Sequence, residues 1–476
     1  MKIKGELVLD RQQPWTIGRI IYTFLMALLL LGYLAVMATY CDQTATGKAF
    51  NFPGFVWVLR VITGVMAIYL GKLWKDKGFL LLMFYLLLKL IRVIAEGADN
   101  VFQEPVSDAI LTGFWAFSAC YGMARILSKK QLNSFLNISI TIWTIGMIIS
   151  SCLGIYAAWT GKNIYTIGEG AIWGVTWENR LFLVFFPTVS GSVASFSIIL
   201  ALCGAIVGKN KKTKRFFLLS IIPMFIALCL TDSRCAQVTV SGGTAAMLGI
   251  FIIRKLRDQA QKKEKNSWYA WAAGIAIAGV VFIASVILCM KTITVFNQVR
   301  ADELLIPRAL AEEVQTKAIV SNRGYTGSNV LTSRPMIWNA AIQVLGNNPL
   351  FLLWGTSIWN PMTLVNASET MTFMANHCHC MPLMILLENG IPGLLLMGTF
   401  LGMIICAAFR LVLTSKEKRE VVIVPFVLSI LLGEIIECFL WLRTGTCPTM
   451  PFFFVAVGIL LTAGQKQKSG NKVTTD

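Results

Sequence analysis

Both histidines of this 476-residue chain lie within one short run, Asn376-His377-Cys378-His379-Cys380. An imidazole titrates near neutral pH, so a histidine here could act as a general base that takes a proton from a hydroxyl group. The run is a poor metal site, because ligands two residues apart need further partners and no second cluster of cysteine and histidine completes a tetrahedron. The alternative is that two loop histidines are neighbours by chance.

Several charged residues fall inside apolar stretches, where a charge is costly and a functional role is the first hypothesis. They are Arg60, Lys89, Arg92, Asp108, Glu388, Glu434 and Glu437, with Arg180 and Arg234 at the ends of such stretches. Arginines suit the binding of a lipid-linked anion, because the guanidinium group is permanently charged and makes paired contacts with phosphate oxygens. The structural alternative is that each arginine extends to the membrane interface or neutralises a nearby acid.

Membrane-spanning helices are the elements that must position these residues. The chain is 56% hydrophobic and 14% charged, and its mean hydropathy is +0.68. A run of about twenty apolar residues crosses a hydrocarbon layer of ~30 Å. Such runs lie near 19–40, 53–74, 78–97, 106–127, 135–160, 181–207, 215–231, 235–253, 268–290, 381–408, 421–442 and 448–464. The predicted fold class is therefore all-α, a polytopic transmembrane helical bundle of about 12 spans.

Lysines and arginines are concentrated in alternate loops between these runs, which predicts that both termini are cytoplasmic. The net charge of +18 therefore reflects membrane orientation, and we expect no nucleic-acid partner. This orientation gives transmembrane spans one to nine in residues 1–290, a large extracytoplasmic loop in 291–380, and spans ten to twelve with a cytoplasmic basic tail in 381–476. Within the loop, Ser333-Arg334-Pro335 predicts the start of a short amphipathic helix, and Gly346 predicts its end.

Three stretches on the predicted outer side carry spaced motifs. The first runs from His379 through Leu383, Leu386 and Glu388 to Gly390 and Gly393, the second pairs Arg334 with Trp338, and the third is Thr231-Asp232-Ser233-Arg234. Together they resemble the O-antigen ligase and O-antigen polymerase family of membrane glycosyltransferases, with its His-Asn-x-x-Leu-x-x-Leu-x-Glu-x-Gly-x-x-Gly, Arg-x-x-x-Trp and Thr-x-Ser-Arg patterns. Cys380 stands where the family has asparagine, and the family's Asn-Pro-Asn is absent after Arg180.

The resemblance implies transfer of a glycan from undecaprenyl diphosphate to an acceptor sugar hydroxyl, outside the bacterial cytoplasmic membrane and without a metal or other cofactor. The implied partners are the undecaprenyl-diphosphate-linked donor, a glycan or lipid-linked acceptor, and membrane lipids. Arginines would stabilise the departing diphosphate, and a histidine would take the acceptor proton. The expected catalytic residues are His379, Arg334 and Arg234, and the expected substrate-binding residues are Arg180, Arg60, Arg92, Trp338 and His377.

Other functions remain open at this stage. The family includes polymerases, which join repeat units, and ligases, which attach a finished chain. A polymerase is slightly favoured, because polymerase sequences are divergent and not because any residue decides between the two. A peptidoglycan-polymerising membrane glycosyltransferase would use an outer-loop carboxylate, for which Asp302, Glu303, Glu312 and Glu313 are candidates. A transporter or flippase of lipid-linked sugars should show paired repeats and a central cytoplasmic linker. The sequence has neither feature.

Overall fold

The computed structural model describes residues 16–39, 53–97, 104–161, 163–167, 170–175, 180–183, 187–208, 210–262, 268–301, 334–357, 361–372, 374–375, 377–415, 417–436 and 449–472. Most of these residues are helical. The helices are α1 (Ile17–Thr39), α2 (Pro53–Gly71), α3 (Lys77–Glu96), α4 (Glu104–Trp115), α5 (Tyr121–Ile126), α6 (Lys129–Thr160), α7 (Pro187–Val207), α8 (Lys211–Leu230), α9 (Arg234–Lys262), α10 (Trp268–Ala301), α11 (Arg334–Asn347), α12 (Pro349–Trp354), α13 (Thr363–Asn366), α14 (Met381–Thr414), α15 (Lys418–Ile436) and α16 (Met450–Lys472).

Every predicted span has a helix at its position, counting α4 and α5 as one helix joined by the π-helical segment Ala116–Cys120. Within the described residues, seven helices are long and apolar enough to cross a bilayer, which confirms a polytopic helical protein. These stretches are Lys77–Glu96, Lys129–Thr160, Thr188–Val207, Lys211–Leu230, Arg234–Gln261, Trp268–Arg300 and Met381–Thr414. The total of about 12 spans stays a prediction.

A small sheet departs from the all-α expectation. Its antiparallel strands are β1 (Ile164–Ile167), β2 (Gly170–Val175) and β3 (Leu181–Leu183), in the order β1-β2-β3. These strands contain β-branched and aromatic residues that favour extended backbone. The indole nitrogen of Trp173 donates to Ser150 Oγ at 2.9 Å, which ties the sheet to α6. The predicted span at 181–207 therefore begins as a strand, and its helix starts only at Pro187.

The helix before the predicted outer loop is longer than expected. α10 continues through residues 291–301, which the sequence had placed at the start of that loop. Near the end of α10, Arg300 Nε donates to the carbonyl oxygen of Trp159 at 3.0 Å and so joins α10 to the end of α6. Residues 302–333, which include all four acids of the peptidoglycan alternative, lie outside the described residues.

Helices α7 and α10 differ in their surroundings. In the most apolar stretch of each, 72% of the residues of α7 are buried, compared with 11% for α10. Trp143 on α6 packs edge-on against Phe196 on α7 and Phe452 on α16, with ring centroids 5.5 and 5.1 Å apart. α7 therefore lies at the centre of the bundle, and most of α10 faces outward.

Arginines connect the helix ends on the side predicted to be cytoplasmic. Arg254 on α9 donates to the carbonyl oxygen of Ser415, and Arg410 on α14 donates to that of Gly464 at 2.9 Å. Arg234 begins α9, twenty residues before Arg254, which corresponds to about 30 Å along a helix. Arg234 at the start of α9 and His379 two residues before α14 thus lie at the opposite end of the bundle from this arginine layer.

Candidate active site

A buried turn between α8 and α9 brings two of the predicted arginines together. Thr231 Oγ1 donates to the carbonyl oxygen of Leu228 at 2.7 Å, and Asp232 adopts a left-handed φ of 45°, which aspartate tolerates better than most residues. Arg180 Nε donates to the carbonyl oxygen of Thr231 at 3.0 Å. Arg234 follows as the first residue of α9, and both arginines are buried. Arg180 and the Thr-x-Ser-Arg motif therefore belong to one structural unit.

Helix α7 supports this turn through a glycine. A Cβ atom at Gly191 would lie 2.5 Å from Ser233 Cβ and 2.8 Å from Thr231 Oγ1. No real carbon atom approaches so closely without displacing its neighbour. The absence of a side chain at Gly191 thus allows α7 to contact the turn directly.

We expect Gly191→Ala to lower the midpoint of thermal unfolding, because overpacking a close contact costs ~1–3 kcal/mol. Gly146→Ala on α6 is the matched control, since a Cβ there meets no atom within 4 Å. Alanine should stabilise that helix by about 0.5–1 kcal/mol relative to glycine. The check is thermal unfolding of both purified variants in detergent, and an unfolding midpoint of Gly191→Ala at or above that of Gly146→Ala would contradict the packing argument.

The two histidines contact each other just before α14. Their ring centroids are 4.0 Å apart, and the backbone N–H of His379 donates to Nδ1 of His377 at 3.2 Å. His377 Nδ1 is therefore an acceptor here, so the proton of a neutral His377 lies on Nε2. His379 has a left-handed φ of 52°, an uncommon conformation for a residue other than glycine and one found at functional sites. His377 thus holds the backbone of His379.

Helix α11 binds the histidine run. It begins at Arg334, which is buried, and Trp338 one turn later donates its indole N–H to the carbonyl oxygen of Cys378 at 2.8 Å. The buried residues Ile337, Ala340, Ala341 and Leu345 lie on one face of α11. The structure has a helix here from Arg334 to Asn347, close to the predicted ends. Through Trp338, the Arg-x-x-x-Trp motif and the His379 motif form one structure.

The cysteines beside the histidines are protonated thiols. Cys378 is fully buried with its Sγ 3.5 Å from Met362 Sδ, and burial raises its pKa well above the ordinary value. Burial also raises the pKa of Cys380, which occupies the N-cap position of α14 without a side-chain capping bond. Cys380 therefore does not reproduce the capping hydrogen bond that an asparagine could make there. Metal-binding groups of three or more His, Cys, Asp or Glu are absent from the described residues.

Two glycines, Gly390 of the His379 motif and Gly355 after α12, allow two backbones to touch. Gly390 interrupts α14 with a φ of 63° and a ψ of −162°, and Gly355 after α12 has a φ of 83°. A Cβ at Gly390 would lie 2.5 Å from the carbonyl oxygen of Leu353. The N–H of Thr356 donates to the carbonyl oxygen of Leu387 at 2.7 Å, so a carbonyl beside the interruption is satisfied. The short helix α12 thereby braces the first turns of α14.

A buried ion pair joins α3 to α14 and was missed by sequence reasoning. Lys89 Nζ lies 2.9 Å from Glu388 Oε2, with side chains 12% and 2% exposed. Asn389 Nδ2 donates to Tyr85 Oη at 3.3 Å on the same two helices. Each charged residue lies seven positions from the predicted outer end of its helix, so equal depth with opposite charge was the one signal in the sequence, and it does not say that these two helices are neighbours.

The two remaining arginines have partners near α3 and α4. Arg92 pairs with Glu96 at 3.1 Å, and the other Glu96 oxygen accepts from Ser357 Oγ at 2.7 Å, next to α12. Arg60 Nη1 donates to Thr112 Oγ1 at 2.7 Å, and its guanidinium carbon lies 5.9 Å from the ring centre of Trp115. Their predicted roles in substrate binding stay predictions.

Residues 219–398 match the family model described as O-antigen ligase. The chain carries an O-antigen ligase family domain. This O-antigen ligase domain contains the Thr231–Arg234 turn, α11, the histidine run and the Gly390 interruption, whereas Arg60, Lys89, Arg92 and Arg180 lie before it. No curated protein matches the chain. The assignment therefore rests on the domain that holds all three expected catalytic residues.

Proposed function

We propose that the protein transfers a glycan from undecaprenyl diphosphate to an acceptor sugar hydroxyl at the outer face of the bacterial cytoplasmic membrane. The observation that carries the proposal is the hydrogen bond between Trp338 and Cys378, which joins the helix of Arg334 to the run containing His379. Both residues of this hydrogen bond lie within the O-antigen ligase domain. A glycan transfer of this kind needs fixed cations beside a proton acceptor.

The arginines would bind the donor's diphosphate. Arg234 and Arg334 are the first residues of α9 and α11. A helix N-terminus carries a partial positive charge and free backbone N–H groups, so each arginine adds its charge to a site that already favours anions. Arg180 donates a hydrogen bond to the carbonyl oxygen of Thr231 and so lies at the turn that precedes Arg234. We propose that these groups stabilise the diphosphate as it leaves.

His379 would accept the acceptor's proton. In the proposed step, the acceptor oxygen forms a bond to the anomeric carbon while the bond from that carbon to the diphosphate oxygen breaks. The electron pair leaves with the diphosphate, and the hydroxyl proton passes to the imidazole of His379. No cofactor or metal is needed in this proposal, because the arginines neutralise the leaving group. A polymerase and a ligase differ only in the acceptor.

Reconstitution tests the proposal directly. The purified chain in liposomes, given an undecaprenyl-diphosphate-linked glycan, should form a longer glycan or a glycan on an added acceptor in the presence of a chelator. Elongation from the donor alone would identify a polymerase, and dependence on a second lipid acceptor would identify a ligase. Movement of intact donor across the bilayer without a new glycosidic bond would instead establish the flippase, which no structural observation favours.

The proposed orientation, with both termini in the cytoplasm, makes a separate prediction. Met374 beside the histidine run is 78% exposed, and Lys212 at the start of α8 is exposed. Relative to the wild-type background, Met374→Cys should gain labelling by a membrane-impermeant thiol reagent in intact cells, because its face is outside. Lys212→Cys should gain labelling only after permeabilisation. Labelling of Lys212→Cys alone in intact cells would reverse the orientation and remove the proposed site from the outer face.

A further inference from the structure

A cleft of about 440 Å³ lies at the end of the bundle opposite the proposed site. We call it the inner cleft; it lies between the start of α6, the end of α7, the start of α8, and parts of α15 and α16. Its walls are mainly apolar and include Leu136, Ile140, Leu200, Phe426 and Phe452. Its volume is within the usual range of small-molecule pockets, ~300–1,000 Å³. The proposed glycan transfer leaves this cleft without a role.

One side of the inner cleft carries a polar stripe. Lys129, Asn133, Asn137 and Thr141 all line it and are spaced four residues apart, so they follow one face of α6. Thr141 satisfies its hydroxyl by donating to the carbonyl oxygen of Asn137 at 2.7 Å. The side-chain amides of Asn133 and Asn137 make no hydrogen bond with the described part of the chain. These amides are available to a ligand.

The mouth of the inner cleft is positively charged. Lys129 lines it, Lys130 is exposed beside it, and the exposed Lys211, Lys212, Lys214 and Arg215 occupy the first turns of α8. The N-cap residue Asn210 and Thr213 also line the cleft, so the positive end of α8 faces the same mouth. Two acids lie at the same mouth and leave the basic residues in excess: Glu417 pairs with Lys129 at 3.1 Å, and Glu420, which lines the cleft, accepts from Ser415 Oγ at 2.7 Å.

We propose that the inner cleft binds an anionic phospholipid of the cytoplasmic leaflet, with one acyl chain between the apolar walls and the phosphate at the basic mouth. Asn133 lies four residues beyond Lys129, about 6 Å deeper along α6. The headgroup layer is ~5–8 Å thick on each side of the bilayer. The Asn133 amide is therefore at the depth of the glycerol ester carbonyls, which can accept its N–H groups, while the wall residues lie at the depth of the chain.

The test uses the full purified chain, delipidated and exchanged with phosphatidylglycerol, phosphatidylcholine of the same acyl chains, or a polyprenyl phosphate, with bound lipid counted by native mass spectrometry. Wild-type protein should retain phosphatidylglycerol at least about tenfold better than phosphatidylcholine, because both lipids carry the phosphate but only phosphatidylcholine adds a choline cation, which the basic mouth repels. Stronger retention of the polyprenyl phosphate would overturn the proposal in favour of the carrier lipid.

Three variants and one control sharpen the result. Ala456→Phe fills the inner cleft and should reduce retained phosphatidylglycerol at least about tenfold, whereas Asn133→Leu keeps the volume and should weaken retention without disturbing packing. Lys129→Ala should reduce the preference for the anionic lipid, whereas Lys255→Ala, an exposed lysine of α9 that does not line the cleft, should keep it. The proposal would be overturned if Asn133→Leu retained phosphatidylglycerol as well as the wild type and both lysine variants showed the same preference for phosphatidylglycerol over phosphatidylcholine. This holds even if Ala456→Phe fails to fold.

Discussion

Replacing His379 with alanine should reduce glycan transfer by about 10²- to 10⁴-fold, the usual contribution of a general base. The expected loss is in kcat, since the arginines that bind the donor diphosphate are unchanged. The measurement is the initial rate of transfer by reconstituted protein at saturating donor, together with binding of the labelled donor. A His379→Ala protein that transfers at the wild-type rate would exclude the base role.

His377 supplies the control for this prediction. Because its Nδ1 accepts the N–H of His379, His377→Ala should loosen the backbone of the base without removing it. We therefore expect a smaller loss than for His379→Ala and an unchanged pH profile of the residual activity. If His377 were indispensable and His379 replaceable, the general base would be His377, and the motif would have been aligned two residues out of register. Equal dependence on both histidines, with loss of activity on chelation, would indicate a metal site.

Replacing Arg334 with lysine should reduce transfer by about 10²- to 10³-fold, the loss typical when a group that stabilises developing charge is removed. Lysine keeps the charge but lacks the planar fork that contacts two phosphate oxygens at once. The loss should be in kcat rather than in donor affinity, because the diphosphate carries its largest charge as it leaves. The measurement is kcat and KM for the donor with the reconstituted variant.

The matched control for Arg334→Lys is Arg215→Lys, an exposed arginine on α8 at the opposite end of the bundle. It should leave both kinetic constants unchanged. Arg234→Lys should reproduce the loss of Arg334→Lys, since both residues begin helices at the proposed site. Full activity in alanine variants of both Arg234 and Arg334, with normal expression, would remove the two arginines from the site.

The His379 motif illustrates how much of the candidate site was predictable. Spacing alone separated His379 from His377, because Leu383, Leu386 and Glu388 follow His379 at fixed intervals in the family pattern. Spacing could not explain why glycines are needed at 390 and 393. The structure gives the reason for Gly390: its left-handed φ and its contact with the backbone of Leu353 leave no space for a side chain.

Glu388 shows the opposite case. The energetic cost of burying the Glu388 charge inside a span was evident from the sequence. Its partner was not evident, since Lys89 is 299 residues away in the chain. The same holds for the hydrogen bond from Trp338 to Cys378, which spans 40 residues. A motif records which residue types occur at fixed spacing within one segment. It contains no information on which other segment lies beside it.

The sequence by itself determined the apolar helices and the short helix α11, because apolar runs and helix-ending residues act within a single segment. α11 began and ended within a residue of its predicted limits, from Arg334 to Asn347. Only the tertiary structure decided that residues 181–183 form a strand, that α10 extends to Ala301, and that His377 holds His379. These features depend on hydrogen bonds and packing between segments that are distant in the chain, or on backbone torsions that those contacts impose. The free energy of such contacts exists only when the segments are brought together.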